Sequence, residues 1–302
     1  MRRSAYSRNN APVVEQELEI DGVSFAYRES GRGDPMVLVH ASLSDMRSWE
    51  PLEPLVAEHF RVINYSRRFA HPNRPADDGA SDALSQHAED LVALIEKLRL
   101  GKVHLVGNSS GAFVALLAAQ QRPDLARTLT LEEPPVVSMF LHALPPKPGE
   151  LFKLLFSSPG ALVALLKFGA GAIGPATKAF AQGNDAAALD LFARGVLGAA
   201  AFARLSAARK QQMMDNIKAH RAAMLGAGLP VFTAAEAAAI QTPTQLIRGV
   251  DTPDFQRRIN QRLAGLIPGA EDVCVPNASH LVHEDNPQAV ADAIRTFCRE
   301  HQ

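Results

Sequence analysis

A glycine-serine motif between two apolar segments constrains the fold of this chain more than any other feature. Residues 107–111 read Gly-Asn-Ser-Ser-Gly, after a short apolar run at 102–106 and before a helix-like run at 112–119. A G-x-S-x-G between a strand and a helix is typical of a tight turn that holds its central serine in a strained backbone. We therefore predict that Ser109 is a nucleophile, and that the backbone N–H of Ser110 helps to hold an oxyanion.

Apolar runs and helical patterns alternate on both sides of this motif. Two segments split by Asp21-Gly22 predict a hairpin. Continuous apolar runs of the kind found in doubly buried strands follow, at 35–40, 61–65, 102–106 and 128–131, and the pattern resumes at 244–249 and 271–275. The predicted fold class is therefore α/β, with a mostly parallel sheet flanked by helices.

Helical periodicity predicts the helices that cover this sheet. One spans about 84–98, with Ser81 or Asp82 as its N-cap, and another spans about 253–266. A last helix spans 287–299, with Asn286 as N-cap and Pro287 in the first turn. Between the two groups of strands the chain is rich in Ala and Leu and shows no strand pattern. We predict a flexible tail at 1–15, a core at 16–133 and 241–302, and an inserted helical lid at 134–240.

Composition narrows the classes of function. The chain has 302 residues, is 47% hydrophobic and carries a formal net charge of -1, so nothing favours binding to nucleic acid. Cys274 and Cys298 suggest neither a disulfide framework nor a metal site, and a cytoplasmic location is expected. The N-terminal residues do not have the pattern of a secretory signal. The apolar stretch at 154–166 is too short to span a bilayer, so no membrane span is expected.

A nucleophilic serine needs a base and a second oxyanion donor. His280 lies in a loop between the last strand and the last helix, which opens on the same edge of a parallel sheet as Ser109, so we predict that it is the base. The loop after an early strand would supply a backbone N–H from Ser42 or Leu43 as the second donor. His40, which ends that strand, is expected to be structural, and His283 is expected to be a surface or packing residue.

Together these motifs resemble the α/β-hydrolase superfamily, of the lid-bearing kind. The resemblance covers residues from 17 to about 301. It rests on the motifs at His40-Ala41, Trp49, Arg67-Arg68, Ser109, Ser279-His280, Glu284 and Pro287. One departure is Ala41, which stands where a glycine is usual.

The acid of the triad implied by the resemblance has two candidates. The usual position, three residues beyond the glycine that ends the seventh strand, is occupied by Thr252, and Asp251 precedes it by one residue. Some members of the superfamily place the acid after the sixth strand, where Glu132 and Glu133 stand. Alternation along the strand turns Glu132 away, which leaves Glu133 as the alternative to Asp251.

The resemblance implies hydrolysis of an ester, lactone or similar acyl bond without a metal or an organic cofactor. An apolar lid implies a small-molecule substrate with an apolar part. Two other interpretations stay open on the same fold. One is oxygenase, lyase or C–C hydrolase chemistry that uses the histidine and the acid as a base, and the other is a binding protein without turnover. The sequence allows assembly into a homo-oligomer without requiring it.

Overall fold

An eight-stranded sheet forms the centre of the computed structural model, which describes residues 14–77, 79–80, 82–142 and 146–301. The strand order is β1-β2-β4-β3-β5-β6-β7-β8. Strands β1, β2 and β4 pair antiparallel, and every pair from β4–β3 onward is parallel. The strands are β1 (Glu15–Ile20), β2 (Val23–Gly31), β3 (Pro35–Val39), β4 (Arg61–Tyr65), β5 (Val103–Asn108), β6 (Ala126–Glu132), β7 (Thr244–Gly249) and β8 (Glu271–Val275).

Burial explains why the central strands read as continuous apolar runs. All six residues of β5 are buried, as are the last four of β3, because helices cover both faces of the sheet there. The outer strands β1 and β8 are largely exposed. The predicted α/β class with a mostly parallel sheet is confirmed.

Fourteen α-helices lie in the described residues. They are α1 (Glu53–Val56), α2 (Leu84–Lys97), α3 (Ser110–Gln121), α4 (Pro148–Ser157), α5 (Pro159–Phe168), α6 (Gly174–Ala181), α7 (Asp185–Leu197), α8 (Ala199–Arg204), α9 (Ala207–Asp215), α10 (Ile217–Leu225), α11 (Ala234–Ala238), α12 (Asp254–Ala264), α13 (Val282–Asp285) and α14 (Pro287–Glu300). Short 3₁₀ turns occur at Met46–Trp49 and Val137–Met139.

The helix ends agree with the sequence in one place and differ in another. The Asn286 side chain accepts a hydrogen bond from the N–H of Ala289, as predicted for the N-cap of α14. Helix α2 instead has Ala83 at its N-cap, without a side-chain bond. The prediction of Asp82 as cap was wrong because its carboxylate is paired with the ring of His87, at 2.6 Å. Ser81 lies outside the described residues.

The N-terminal boundary also differs from the prediction. Most of the predicted tail at 1–15 lies outside the described residues, but Glu15 already belongs to β1 and pairs with Arg28 of β2. Glu15 therefore belongs to the sheet rather than to a tail, because the antiparallel ladder starts there.

The helical insert comprises α4 to α11 and lies between β6 and β7; its described residues contain no strand. Helices α5 and α6 are joined through a π-turn at Gly169–Ile173 into one helix, Pro159–Ala181. This helix of 23 residues is long and apolar enough to cross a membrane by length and composition, and 28% of its most apolar window is buried. This helix differs from the predicted apolar stretch at 154–166 at both ends. Pro159 begins the helix rather than ending one, and the chain stays helical through the π-turn as far as Ala181. Core helices of soluble proteins meet the same criterion, so the helix by itself does not establish a membrane span.

One buried carboxylate ties the helical insert to the sheet. Asp45, just after the loop that follows β3, accepts hydrogen bonds from Gln212 of α9 at 3.0 Å and from Asn216 at 2.7 Å. It also forms an ion pair with Arg47 at 2.7 Å. Burial alone would raise the pKa of Asp45, but the hydrogen bonds from Arg47 and Asn216 outweigh it and bring the pKa to about 2.

Close backbone packing sets α3 against β3. A Cβ atom on Gly111 would lie 2.1 Å from the carbonyl oxygen of Val39 and 2.4 Å from that of His40. A Cβ atom on Gly107 would lie 2.6 Å from the carbonyl oxygen of Gly111. Both glycines of the motif are therefore required by sterics, as the sequence predicts.

We expect Gly111→Ala to lower the free energy of unfolding by roughly 1–3 kcal/mol, because a methyl group there meets backbone atoms that cannot rotate away. Urea denaturation followed by circular dichroism measures this change. Gly149→Ala in α4 is the matched control, since nothing lies within 4 Å of its added Cβ. Equal stability of the two variants would contradict the steric requirement.

The depressed pKa of Asp45 predicts a pH-dependent contribution to stability. A carboxylate with a pKa of about 2 in the folded chain and 3.8 unfolded stabilises the fold by about 2 kcal/mol above pH 4. Roughly 1 kcal/mol of this stabilisation is lost by pH 3, because the Asp45 carboxylate takes up a proton in the unfolded chain before it does so in the folded chain. Urea denaturation should therefore show the gap between wild type and Asp45→Asn shrinking from pH 6 to pH 3. Asp190→Asn, in an exposed pair with Arg194, should show no such trend.

Candidate active site

Ser109 lies in the sharp turn between β5 and α3. Its φ of 51° and ψ of -121° place a non-glycine residue in a strained conformation. The turn is held by the N–H of Ser109, which donates to the carbonyl of Glu132 at 2.7 Å, and by the N–H of Phe113, which donates to the carbonyl of Ser109 at 3.1 Å. The strained backbone expected for Ser109 is therefore present.

His280 pairs with Glu133. The Nδ1 atom of His280 lies 2.6 Å from Oε2 of Glu133, and both side chains are buried. Because an ionised carboxylate only accepts, Nδ1 carries the hydrogen, and Nε2 is left to accept a proton. This is the arrangement of a base and its orienting acid.

Three further groups hold Glu133 in place. Its Oε1 atom accepts hydrogen bonds from the N–H of Gly249, at 2.9 Å, and from the hydroxyl of Thr252. Its carbonyl accepts from the side chain of Gln256 at 2.6 Å. The two bonds to Oε1 compensate for the burial of the carboxylate. The bond to the carbonyl helps to hold the backbone of Glu133 at its φ of 49°.

The structure does not bring Asp251 to His280. Asp251 is exposed, and its N–H donates to the carbonyl of Ala278 at 2.9 Å. The neighbouring Thr252 is buried and turns its hydroxyl to Glu133 instead. Of the two acids left open by the sequence, Glu133 is the one beside His280.

The predicted oxyanion loop has a fixed conformation. The ring of His40 donates from Nδ1 to the carbonyl of Ala41 and accepts at Nε2 from the N–H of Arg67, both at 2.8 Å. Burial, together with the nearby charge of Arg67, lowers the pKa of His40 to about 3, so the ring stays neutral. Leu43 has a φ of 53°, in the left-handed region that non-glycine residues seldom adopt. Ser42, Leu43 and Ser110 line the same cavity as Ser109 and His280.

A second buried acid–histidine pair lies next to the first. His283 Nδ1 is 2.6 Å from Oε2 of Glu132, and the ring of His283 stacks on Trp49 with centroids 3.8 Å apart. Asn108 donates to Glu132 at 3.1 Å and to the carbonyl of His280 at 3.3 Å. His283 is thus a buried packing residue. The adjacent glutamates and the His-x-x-His spacing were the only sequence signals for this pair.

The cavity above Ser109 has a volume of about 940 Å³ and is mostly apolar. Side chains of the helical insert form much of its wall, including Leu165, Phe168, Ile173, Val196, Leu197, Met213 and Met224. One polar exception is His220, whose two ring nitrogens have no partner among the described residues. Sequence reasoning missed His220, because nothing in its local pattern places it at the cavity. The described residues contain no group of His, Cys, Asp and Glu that could hold a metal ion.

Comparisons with known proteins agree with this fold. One similar relative is 2-hydroxymuconate semialdehyde hydrolase of Pseudomonas sp. (strain CF600), which is 31% identical over 40% of this chain and 44% of the relative. The match thus spans less than half of that relative's length. Another is 2-(acetamidomethylene)succinate hydrolase of Mesorhizobium japonicum, which is 24% identical over 94% of this chain and 95% of the relative.

A similar solved structure is the enol-lactonase from Burkholderia xenovorans LB400. It has a TM-score of 0.71 and 17% identity, over 94% of this chain and all of that one. The sequence model of the Alpha/beta hydrolase family matches residues 36–293, which include every strand from β4 to β8 and the whole helical insert. This chain therefore belongs to the Alpha/beta hydrolase family.

Proposed function

We propose that this hydrolase cleaves an ester, lactone or similar acyl bond of a partly apolar small molecule through Ser109, His280 and Glu133. The observation that carries the proposal is the 2.6 Å contact between His280 and the buried Glu133, beside a strained serine in one cavity. Neither family membership nor fold fixes the substrate, so the bond type rests on this site.

The chemistry follows from the roles of the three residues. His280 Nε2 takes the proton of Ser109 as its oxygen attacks the carbonyl carbon, and Glu133 stabilises the imidazolium that forms. The N–H of Ser110, with that of Ser42 or Leu43, holds the tetrahedral oxyanion. His280 then gives the proton to the leaving group, and water activated by the same ring releases the acyl group. The apolar wall of the helical insert would hold the apolar part of the substrate.

C–C bond hydrolysis is the second candidate. It is favoured by the relative from Pseudomonas sp., a semialdehyde hydrolase that is 31% identical over 40% of this chain. The same serine and base suit a vinylogous ketone as well as an ester, because attack on either carbonyl carbon places negative charge on the carbonyl oxygen.

A fluorophosphonate probe should test the site directly. We expect wild type to gain one probe mass on Ser109 and Ser109→Ala to gain none, by intact-protein and peptide mass spectrometry. Glu133→Gln should lower the labelling rate by roughly 10²–10⁴-fold, because the imidazole loses its anionic partner. Asp251→Asn is the matched control and should label within about twofold of wild type. If Asp251→Asn slowed labelling and Glu133→Gln did not, the acid would be Asp251.

A panel of substrates distinguishes hydrolysis of an ester bond from hydrolysis of a C–C bond. On p-nitrophenyl esters we expect kcat/KM to rise about fourfold per CH₂ from acetate to hexanoate, because each CH₂ is buried in the apolar cavity. A dienol ketone that breaks at a C–C bond is assayed in parallel by loss of its ultraviolet absorbance. Faster turnover of the ketone than of every ester would favour C–C hydrolysis. If Ser109→Ala kept most of that turnover, a covalent serine route would be wrong.

A further inference from the structure

Two serine hydroxyls lie between Ser109's cavity and a buried arginine. Ser42 Oγ donates to Ser110 Oγ at 3.0 Å, and Arg67 Nη2 donates to Ser110 Oγ at 3.1 Å. Ser42 and Ser110 line the cavity that holds Ser109, whereas Arg67 lies behind them and is only 5% exposed. The backbone N–H of Ser110 is already assigned to the oxyanion, but these side chains have no role in that mechanism.

Counting hydrogens shows that one O–H of this pair is left over. A guanidinium has donors only, so Ser110 Oγ must accept from Arg67. Ser110 also accepts from Ser42, which occupies its second lone pair, and its own hydrogen is not used in any hydrogen bond within the described chain. If the Ser42–Ser110 bond ran the other way, the spare hydrogen would belong to Ser42, which lines the same cavity. In both cases one hydroxyl hydrogen is available to a substrate.

The charge behind the pair makes this donor stronger. Among the described residues no carboxylate lies at ion-pair distance from Arg67. Its neighbours Asp82 and Asp90 are bound by His87 and Arg68, each at 2.6 Å. The Nε atom of Arg67 is buried and has no hydrogen-bond partner in the described part of the chain. A hydroxyl that accepts from a buried guanidinium without a direct ion-pair partner is polarised and donates more strongly.

The position of the arginine is fixed by the oxyanion loop itself. The backbone N–H of Arg67 donates to His40, whose ring also donates to the carbonyl of Ala41. Because His40 stays neutral, this link does not change over the working range of pH. The loop and the guanidinium therefore form one preorganised unit, as stabilisation of a developing charge requires.

We propose that the Ser110 hydroxyl, polarised by Arg67, is a further catalytic donor to the oxyanion formed when Ser109 attacks the substrate. The inference rests on the proposed function. Ser110 then contributes two donors, its backbone N–H and its hydroxyl, while Arg67 is a positioning residue that does not touch the substrate. Ser42 supports the hydroxyl by completing its hydrogen bonds.

Steady-state kinetics on the best ester of the panel tests this role. We expect Ser110→Ala to lower kcat about 10–100-fold with KM within about twofold, because the lost bond is made in the transition state. Arg67→Met should lower kcat about 10-fold, and Arg67→Lys should recover part of that loss by keeping the charge. Ser44→Ala is the matched control, since this buried hydroxyl of the same loop has no partner among the residues that the structure describes, and its kcat should not change.

An oxyanion mimic separates this role from a structural one. A trifluoromethyl ketone forms a bond from Ser109 Oγ to its carbonyl carbon; the C=O electron pair becomes an oxyanion, and the serine proton passes to His280. We expect its inhibition constant to rise at least 10-fold in Ser110→Ala, with that of the corresponding methyl ketone unchanged. Unchanged kcat in Ser110→Ala, or equal weakening of both ketones, would overturn the proposal. Wild type without phosphonate labelling and without turnover would instead refute the underlying serine mechanism.

Discussion

The network around the Glu133 carboxylate is the interaction on which the rest of the site depends. Glu133 directly follows β6, and its carboxylate is bound by Gly249 at the end of β7, by Thr252 after β7 and by His280 after β8. Three successive strand ends are thus joined by one buried acid. An ion in a dry environment is tolerated only when each of its oxygens has partners, and here both oxygens do. The position of the His280 ring follows from the position of that acid.

The sheet could be predicted from sequence because its signals are local. Buried strands such as β3 and β5 carry unbroken apolar runs, and the glycines around Ser109 mark a turn that tolerates no side chain. His280 was predictable as well, because the carboxyl ends of parallel strands share one edge. The choice between Glu133 and Asp251 was not, since it depends on where a threonine hydroxyl points in a folded loop. No local pattern encodes that contact.

The features missed by sequence analysis are long-range pairings. Glu132 and His283 are 151 residues apart in the chain, and each alone resembles an ordinary polar residue. The same is true of Arg67 and Ser110, which are 43 residues apart. Asp82 was assigned to the wrong role because helix capping and pairing with His87 compete for one carboxylate. Which of two possible partners a buried side chain binds is decided only when all of its neighbours in the folded chain are in place.

The anchoring of the helical insert has a consequence for how specificity can change. Asp45 is bound to Gln212 and Asn216, and Arg209 of α9 donates to the carbonyl of Leu43 at 3.2 Å. The helical insert that walls the cavity is therefore tied by hydrogen bonds to the loop after β3. On the proposed mechanism that loop supplies an oxyanion donor. A substitution that displaces α9 to admit a larger molecule would then alter turnover as well as substrate range.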